Sequence, residues 1–577
     1  MGRARDERRR GRQLLHCRGE QWARTEIPAS AGSGSEPVDR SDSRRIGGTT
    51  RGIREDKTVI TKFGGIWIAG CVAMLAGPAA PAYEASRGPT ELIHWDPQKA
   101  DPGYAFIRTR LPGVTGVYLI DMAGQVVNYW PGFTDAYLLE DGTMFGARGP
   151  STFSQVDWKG NVLWEHTDSR ETHHPHHDFL RIYNPELEDY TVLYIANEDL
   201  THDEVIALGA DPDAVDRYEG TQMDVVVEVD RNGEVVWEYR FRDHLVQDRT
   251  PSASNHVGEG RSLADFPGRL DVNFGVFSRD YLHLNAIDYN PESGHLAISS
   301  NRTHEIYIVD HDGTFVPGDP EESLRLAASE AGDFLYRFGN PAIYGQGEHP
   351  HYAKKNWSLE EFSGHKQMGG THDIQWIKDG LPGAGDLLLF NNGLSVPRAA
   401  GDSDPQSEIL QINPYLDAGG VVQDHYVNPP EAGYSDVMPG SEESQNLVTR
   451  LFSKQIVWMY HTSDGFNSHH GSATQRLPNG NTMAQLARVG RLLEITPEGE
   501  VVWEYVNPVT NAGIVRTLIT SEHENVFGGW SPLRYGMDFP GLAGNDLSPK
   551  GPITAFHGDT PPGEADETAL AEEEEDY

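Results

Sequence analysis

Apolar and polar residues alternate along two neighbouring segments, 492–495 and 501–505, which are separated by a turn that contains Gly499. Alternation with a period of two is typical of antiparallel strands with one buried face, and a turn glycine supplies the positive φ of a tight hairpin. The same hairpin pattern recurs upstream, in five further copies at 117–130, 153–164, 226–239, 306–316 and 409–426. The chain therefore contains six copies of one hairpin, of which the fourth and fifth are degenerate.

A second motif, a strand, a glycine turn and a strand, lies between these copies, for example at 136–145, 287–298 and 374–389. Two hairpins make a four-stranded unit, which buries its apolar face only against a neighbouring unit. Six units predict an all-β fold, a six-bladed β-propeller of four-stranded antiparallel blades with long inter-strand loops. We expect this domain to span 83–545, with the segment 524–535 closing the ring.

The N-terminal region is predicted to lie outside the propeller. Residues 1–58 are rich in arginine and lack periodicity, which indicates a mis-annotated or disordered basic extension. Residues 59–82 have the organisation of a signal peptide: a lysine, an apolar run and Ala-Pro-Ala at 80–82. The run is too short for a stable membrane span, so we expect a periplasmic or secreted protein. An internal anchor and lipidation at Cys71 are alternatives that the sequence leaves open.

The 577 residues carry a formal net charge of −40. A nucleic-acid-binding protein needs a basic surface, so the composition argues against that class of partner. An acidic surface also repels anions, so an anionic substrate needs a local positive site. The two cysteines, Cys17 and Cys71, both precede residue 83, which leaves none for a disulfide or a metal site in the propeller. The acidic residues near the C-terminus predict a disordered tail over 546–577.

Histidines occupy matching positions at the start of the second motif in four units. Alignment of the motifs gives one shared position to four residues: His177, Asn285, His372 and Ser472. His283 and His470 lie two residues earlier, on the same face of an extended strand. Because equivalent strand ends converge in a closed propeller, we expect these histidines to meet at one mouth of the central channel.

Converging imidazoles are suited to two kinds of chemistry. Neutral imidazole is the commonest metal ligand, and the histidine-rich run 173–177 encourages that interpretation. Imidazole can also attack an anionic group, protonate it or donate hydrogen bonds to it. Arg398 follows the strand pair that contains His372, and its guanidinium can bind an oxyanion through two hydrogen bonds. A cation at this place favours an anionic group over a divalent metal.

At these residues the sequence resembles the bacterial arylsulfate sulfotransferase family, which does not use a nucleotide sulfate donor. The resemblance covers roughly 100–545, and its most specific segments are 283–287, 371–373, 391–398 and 475–508. It implies a six-bladed propeller in the periplasm that moves a sulfuryl group from a phenolic sulfate donor to a phenol acceptor. The family's route is ping-pong and passes through a sulfated histidine. The resemblance implies neither a cofactor nor a metal, and whether the protein is a homodimer stays open.

The resemblance also implies roles for individual residues. His470 would be the nucleophile, with the adjacent His469 as the alternative. His283 and Arg398 would hold the sulfuryl oxygens. His372 would be the acid–base group for the leaving and the accepting phenol.

Two further residues, Asn285 and His177, are expected to contact the substrate. The run 173–177 has no family role, and a supporting group, a metal site and a solvated loop all stay open for it. Two other functions also stay open for the chain. One is a metal-dependent hydrolase that uses the histidine ring, which a chelator would inhibit. The other is a non-catalytic propeller that binds a ligand, which requires no combination of arginine with histidines.

Overall fold

The structure is a computed structural model. It describes residues 89–556, apart from gaps at 112, 150, 216–219, 275–278, 348–364, 394–406, 440–450, 463–465, 512 and 516–531. The predicted extension 1–58, the predicted signal peptide 59–82 and residues 557–577 of the predicted tail lie outside the described residues. Among the described helices, none combines the length and the apolar character that a membrane crossing requires.

Six antiparallel four-stranded sheets form the six blades of a β-propeller, which confirms the predicted fold class. We number the blades along the chain and give each from its innermost strand outward. They are blade 1 (Arg534–Gly536, Gly103–Thr109, Gly116–Asp121, Val126–Pro131), blade 2 (Asp135–Leu138, Met144–Ala147, Thr152–Val156, Val162–Thr167), blade 3 (His173–Asn184, Asp189–Leu200, Thr221–Val229, Val235–Arg240), blade 4 (Leu284–Asn290, His295–Ser300, Glu305–Asp310, Tyr336–Phe338), blade 5 (Thr371–Trp376, Leu387–Asn391, Glu408–Ile412, Ile456–Tyr460) and blade 6 (Ala473–Arg476, Thr482–Leu486, Arg491–Ile495, Val501–Val506).

Strands from both ends of the described chain close the propeller. Arg534–Gly536 pairs with Gly103–Thr109, so blade 1 combines a late strand with three early ones. Glu91–Trp95 pairs with Val501–Val506 and adds a fifth, outer strand to blade 6. The end of the segment predicted to close the ring therefore lies in blade 1, while 524–531 lies outside the described residues.

Two of the six predicted hairpins are wrong in their second strand. Glu305–Asp310 pairs with Tyr336–Phe338 rather than with the segment ending at 316, because two α-helices and a 3₁₀ helix lie between the paired strands. Glu408–Ile412 pairs with Ile456–Tyr460 rather than with residues near 426. The sequence Ile-Val-Trp-Met-Tyr at 456–460 carries the aromatic pattern of the repeat, and a long insertion separates it from its partner.

The insertions between blade strands hold the remaining secondary structure. Short two-stranded pairs are Leu245–Val246 with Leu270–Asp271, Tyr434–Ser435 with Phe452–Ser453, and Val509–Thr510 with Gly513–Ile514. The described α-helices are His202–Ala207, Pro212–Val215, His311–Thr314, Pro320–Ala327, Pro429–Ala432 and Ile553–Phe556. The described 3₁₀ helices are Phe241–His244, Leu263–Asp265, Glu330–Gly332, Pro341–Tyr344 and Pro540–Leu542.

The hydrophobic core lies between neighbouring blades. Leu193 and Trp237 of blade 3 belong to the same buried cluster as Ile287 and Leu296 of blade 4. Blades 4 and 5 share a second such cluster, which includes Ile308 and Leu389. Burying apolar surface is the main favourable contribution to folding, so each blade depends on its neighbours for stability.

Hydrogen bonds join the innermost strands of successive blades. A side chain on each innermost strand accepts a backbone N–H from the innermost strand of the next blade. The acceptors, for blades 1 to 6, are Tyr535, Tyr137, Asp178, Asp288, Asp373 and Gln475. These contacts satisfy N–H groups that point at a neighbouring sheet, and they hold each innermost strand against the one before it.

Candidate active site

Irregular backbone marks the start of the innermost strands of blades 3 to 6. The pairing register slips around His177 in blade 3, at Asn285 in blade 4 and after His372 in blade 5. Four non-glycine residues here have positive φ: His177 (55°), His283 (50°), Asp373 (57°) and Ser472 (86°). Such conformations are uncommon for side chains larger than glycine and cluster at functional sites, and bulges turn side chains away from the regular alternation. The irregularity therefore directs histidines from different blades toward one another.

Three histidines from blades 3 and 4 are in ring contact. The ring centroid of His177 lies 4.9 Å from that of His176 and 4.6 Å from that of His283, at interplanar angles of 87° and 77°. The Nδ1 atoms of His176 and His177 are 2.7 Å apart, so one donates a hydrogen bond to the other. On its far side, His176 Nε2 lies 3.2 Å from Oδ1 of the buried Asp224.

Asp280 orients the ring of His283. Its Oδ2 hydrogen-bonds to Nδ1 of His283. Burial alone would raise the pKa of Asp280, but the charge of His283 and this hydrogen bond lower it to about 2. Asp280 is therefore ionised at neutral pH and can only accept, so Nδ1 of His283 carries the hydrogen. The pairing turns Nε2 of His283 away from Asp280.

Both ring nitrogens of His372 hydrogen-bond to protein groups. The Gly471 N–H donates to Nε2 over 3.2 Å, so Nδ1 carries the hydrogen and donates to Oδ1 of Asn392 over 2.6 Å. Burial lowers the pKa of His372 to about 3; the hydrogen bond to Asn392 opposes this shift, while the charges of His283 and His470 add to it. His372 is therefore neutral at physiological pH.

Asn392 also holds the segment that carries His469 and His470. Its Nδ2 donates to the carbonyl oxygens of Ser468 and Gly471 over 2.8 and 3.0 Å. His469 and His470 are both partly exposed, with ring centroids 6.3 Å apart. Burial, followed by the charges of Arg488 and His470, lowers the pKa of His469 to about 4.

Six histidines from four blades thus share one electrostatic environment: His176, His177, His283, His372, His469 and His470. Burial, followed by the charges of His283, His176 and His372, lowers the pKa of His177 well below its ordinary value. Crowded imidazoles disfavour one another's protonated forms, and an anion among them stabilises those forms. The cluster can therefore supply the local positive charge that an anionic substrate requires.

The structure brings together five residues that the sequence singled out: His177, His283, His372, His469 and His470. Asn285 lies at a blade junction instead. Its Nδ2 donates to the carbonyl of Thr371 in blade 5, and its Oδ1 accepts from Ser299 over 2.6 Å. Arg398 lies outside the described residues. Among the described cations, Arg110 acts on His177 and Arg488 on His469.

The run 173–177 divides between two environments. His176 and His177 join the site. His173 lies 3.9 Å from Glu238, and the exposed His174 bonds to Asp199 over 2.8 Å. A bulge in the strand causes the division, and it was not readable from the sequence.

The sequence did not predict the roles of four supporting residues, which are His176, Asp224, Asp280 and Asn392. Asp224 had a signal, since it is the one charged residue in the otherwise apolar stretch Met223–Val227. Asn392 lies in the segment 391–398 that carries the family resemblance, but its contacts are what show its role, and Asp280 is recognisable only from its contacts. Within the described residues, no group of three or more His, Cys, Asp or Glu side chains is arranged to hold a metal ion.

Solved structures resemble this fold at low identity. A Bacteroides caccae protein of unknown function is 13% identical, covers 72% of this chain and 98% of its own, and has a TM-score of 0.34. The Cps50 (Swd1) β-propeller domain of Myceliophteria thermophila is 11% identical, with coverages of 79% and 97% and a TM-score of 0.31. Virginiamycin B lyase from Staphylococcus aureus is 9% identical, with coverages of 74% and 98% and a TM-score of 0.28. At these values, none carries an inference about this chain.

No curated protein matches the sequence significantly. The family model for arylsulfotransferase (ASST), in contrast, matches residues 96–413, more than half of the chain. The matched region includes His176, His177, His283 and His372. The protein therefore belongs to the arylsulfotransferase (ASST) family.

Proposed function

We propose that the protein transfers the sulfuryl group of an aryl sulfate to a phenol through a sulfated histidine, without a nucleotide sulfate donor. Family membership makes it an arylsulfate sulfotransferase in general terms. The observation that carries the finer proposal is the meeting of six histidines from four blades beside Arg110 and Arg488. An anion held there is surrounded by groups that can donate hydrogen bonds or attack it.

The reaction has two halves. In the first, a ring nitrogen of His470 attacks sulfur, the bond from sulfur to the aryl oxygen breaks, and its electron pair leaves on that oxygen. In the second, an acceptor phenol gives up its proton, its oxygen attacks the same sulfur, and the electron pair of the N–S bond returns to His470. Negative charge on the sulfuryl oxygens needs fixed donors, a role that we assign to His283 and Arg398.

His470 is the preferred nucleophile for two reasons. It is partly exposed, and its main chain is anchored by a hydrogen bond from Ser468 Oγ to its carbonyl over 3.1 Å. The adjacent His469 is the alternative, because its lowered pKa keeps it in the unprotonated, nucleophilic form at neutral pH. The two assignments give opposite results in the experiment below.

The acid–base role of His372 stays a prediction. In the free protein, Nε2 of His372 accepts from Gly471 and Nδ1 donates to Asn392. Proton transfer at Nε2 therefore requires it to exchange the Gly471 N–H for a phenol oxygen. Asn285, whose side chain bridges blades 4 and 5, is better assigned to holding the site than to contacting substrate.

Intact-mass measurement tests the covalent route. After incubation with a chromogenic aryl sulfate, the wild type is expected to gain the mass of one sulfuryl group and to lose it when a phenol is added. His470→Ala is expected to gain none, whereas the matched control His469→Ala still becomes sulfated. The reverse result would move the nucleophile to His469. A wild type that turns over aryl sulfates without ever gaining mass would overturn the covalent route.

We also propose a periplasmic or secreted location, on the strength of the signal-peptide pattern at 59–82. The native protein is then expected to begin after Ala82 when its N-terminus is sequenced. The substrates proposed are a phenolic sulfate donor and a phenol acceptor. A homodimer is a separate proposal, which sedimentation of the purified protein decides.

A further inference from the structure

An arginine closely follows the second strand in four of the six blades. The four are Arg110 in blade 1, Arg148 in blade 2, Arg302 in blade 4 and Arg488 in blade 6, each one or two residues after the strand ends. The second strand runs antiparallel to the innermost strand, so it ends at the mouth of the channel where the histidines lie. The repeat therefore places four cationic residues at that mouth.

The arginines of blades 4 and 6 belong to the part of the mouth that carries histidines. The main-chain N–H of Arg488 donates to Ser468 Oγ over 3.2 Å, and its charge acts on His469. The charge of Arg302 acts on Asp280, the carboxylate that orients the blade 4 histidine. These two arginines therefore accompany the histidines of their own blades.

Blades 1 and 2 have a different composition at the mouth. Three of their loops lie there: 110–115, 132–134 and 148–151. These loops contain two arginines and no Asp, Glu or His. The buried Asp135, which begins the innermost strand of blade 2, forms an ion pair with Arg108. Because that pair is balanced, Arg110 and Arg148 give this side of the mouth a positive charge in a chain whose formal net charge is −40.

Arg148 is held in place by a ring rather than by a carboxylate. Its guanidinium carbon lies 4.3 Å from the ring centroid of Phe133, which is fully buried. Stacking on an aromatic face orients a guanidinium and leaves its charge uncompensated. The Nε atom of Arg148 is buried and has no hydrogen-bond partner among the described residues. Buried donors are nearly always paired, so this one points to a ligand that carries an acceptor.

Arg110 faces the same junction of blades 1 and 2. It lies two positions after Arg108 along an extended chain, and residues at that spacing share a face. Arg108 reaches blade 2, where its Nη2 donates to the carbonyl of Ala136 over 3.0 Å. The charge of Arg110 acts on Asp135 of blade 2 and on His177 of blade 3. Arg110 is therefore close to the start of blade 2 and within electrostatic reach of the histidines.

We propose that Arg110 and Arg148 form a subsite for a second anionic group on the aryl ring, so that the preferred substrates are aryl sulfates that also carry a carboxylate. This inference rests on the proposed sulfuryl transfer and names the substrate class of that same site. Histidines of four blades surround the sulfuryl group, and blades 1 and 2 line the side of the mouth that remains for the ring. A guanidinium binds a carboxylate through paired N–H donors.

The test compares esters that differ by one charge. The value of kcat/KM is measured for aryl sulfates with a carboxylate at the meta or the para position, and for the matching carboxamides, which have nearly the same shape. The ratio of the two values in one preparation does not depend on the amount of folded enzyme. The variants are Arg148→Gln, Arg110→Gln and the charge-keeping Arg148→Lys. The control is Arg231→Gln, which removes an exposed arginine from the turn between the third and fourth strands of blade 3.

The wild type is expected to prefer the carboxylate about 10–100-fold, the range for hydrogen bonds to charged groups. Each Gln variant should lower this preference about tenfold, Arg148→Lys should keep part of it, and Arg231→Gln should keep all of it. Added salt should weaken the preference, because the subsite is partly exposed. A wild type that does not distinguish the esters, or Gln variants that lose activity equally on both, overturns the subsite. A wild type that turns over no aryl sulfate at all overturns the proposed function instead.

Discussion

Asn392 connects the two histidine-bearing segments of blades 5 and 6. It accepts from the ring of His372 and donates to the main chain on both sides of His469 and His470. The Gly471 N–H completes a closed set of hydrogen bonds through His372 Nε2. A side chain with both an acceptor and two donors is required, which explains an amide at this buried position.

Asn392→Asp tests this connection. The new carboxylate still accepts from His372 but cannot donate to Ser468 or Gly471, so the nucleophile segment loses its anchor. We expect the transfer rate to fall about 10–100-fold, because small misplacements of reacting groups are costly. An adjacent negative charge stabilises imidazolium, so the pKa of His372 should rise from about 3 toward its ordinary value. NMR titration of the histidines measures this change.

Asn413→Asp is the matched control, since Asn413 serves a turn just beyond the same blade's third strand by accepting the Tyr415 N–H. It is expected to leave both the rate and the pKa of His372 unchanged. An Asn392→Asp protein with wild-type activity would show that the segment carrying His470 needs no anchor from blade 5.

At the scale of strands and blades, the structure explains why a tryptophan recurs in the hairpins. The indole N–H of Trp164, Trp237, Trp458 and Trp503 donates to a residue in the outer part of the next blade, over 2.8 to 3.2 Å. The indole body fills the space between blades, and its polar edge finds a partner there. At these four junctions, two sets of hydrogen bonds therefore join a blade to the next one, between the innermost strands and between the outer parts.

The lengths of the connections and the positions of the bulges explain which parts of the structure the sequence predicts. Hairpins with short turns were identified from alternation, whereas the outer strands of blades 4 and 5 were misplaced because long insertions hide the partner strand. The histidines were found by their register along the strands. Asn285 shares that register with His177 and His372, but the bulges differ between blades, so equivalent positions do not face the same way. The roles of Asp280 and Asn392 depend on tertiary contacts, which a local sequence pattern does not encode.

A buried charged contact between blades 3 and 4 gives stability a pH dependence. His311 Nε2 lies 2.8 Å from Glu228 Oε2, and its Nδ1 lies 2.9 Å from Asp312 Oδ1. Burial alone would lower the pKa of His311, but the charge of Glu228 and the hydrogen bonds to Asp312 and Glu228 raise it to about 9. A raised pKa in the folded state contributes stability that is complete below the unfolded value of about 6.5 and is lost as pH rises toward 9.

We therefore expect the free energy of unfolding to fall by roughly 3 kcal/mol between pH 6.5 and 9, at about 1.4 kcal/mol per pKa unit. His311→Gln is expected to lose this dependence, while the exposed control His174→Gln keeps it. The histidines with lowered pKa values titrate below this range and do not obscure it. Urea unfolding at the two pH values measures the difference, and an equal fall in both variants would contradict the assignment.

At the scale of the whole molecule, the site requires that the six blades form a closed ring. The six histidines come from blades 3 to 6, and the early and late parts of the described chain share a sheet in blade 1 and, through the outer strand Glu91–Trp95, in blade 6. Arg534, on the closing strand, bonds to Glu494 of blade 6 over 3.0 Å and to the Asp101 carbonyl over 2.7 Å. Gln475 of blade 6 accepts the N–H groups of Leu533 and Arg534.

Arg534→Met tests this closure directly. Glu494 is fully buried, so removing its cation leaves a buried carboxylate without a counter-charge, which typically costs about 3–5 kcal/mol. We expect the melting temperature to fall by several degrees. The double variant Arg534→Met with Glu494→Gln should recover part of the loss, because the uncompensated charge is gone.

Arg325→Met, which breaks an exposed ion pair with Glu322, is the control and should change stability by less than about 1 kcal/mol. If the two arginine variants destabilise equally, the closing strand is not held by this buried pair, and the pairing of Arg534–Gly536 with Gly103–Thr109 must carry the closure instead.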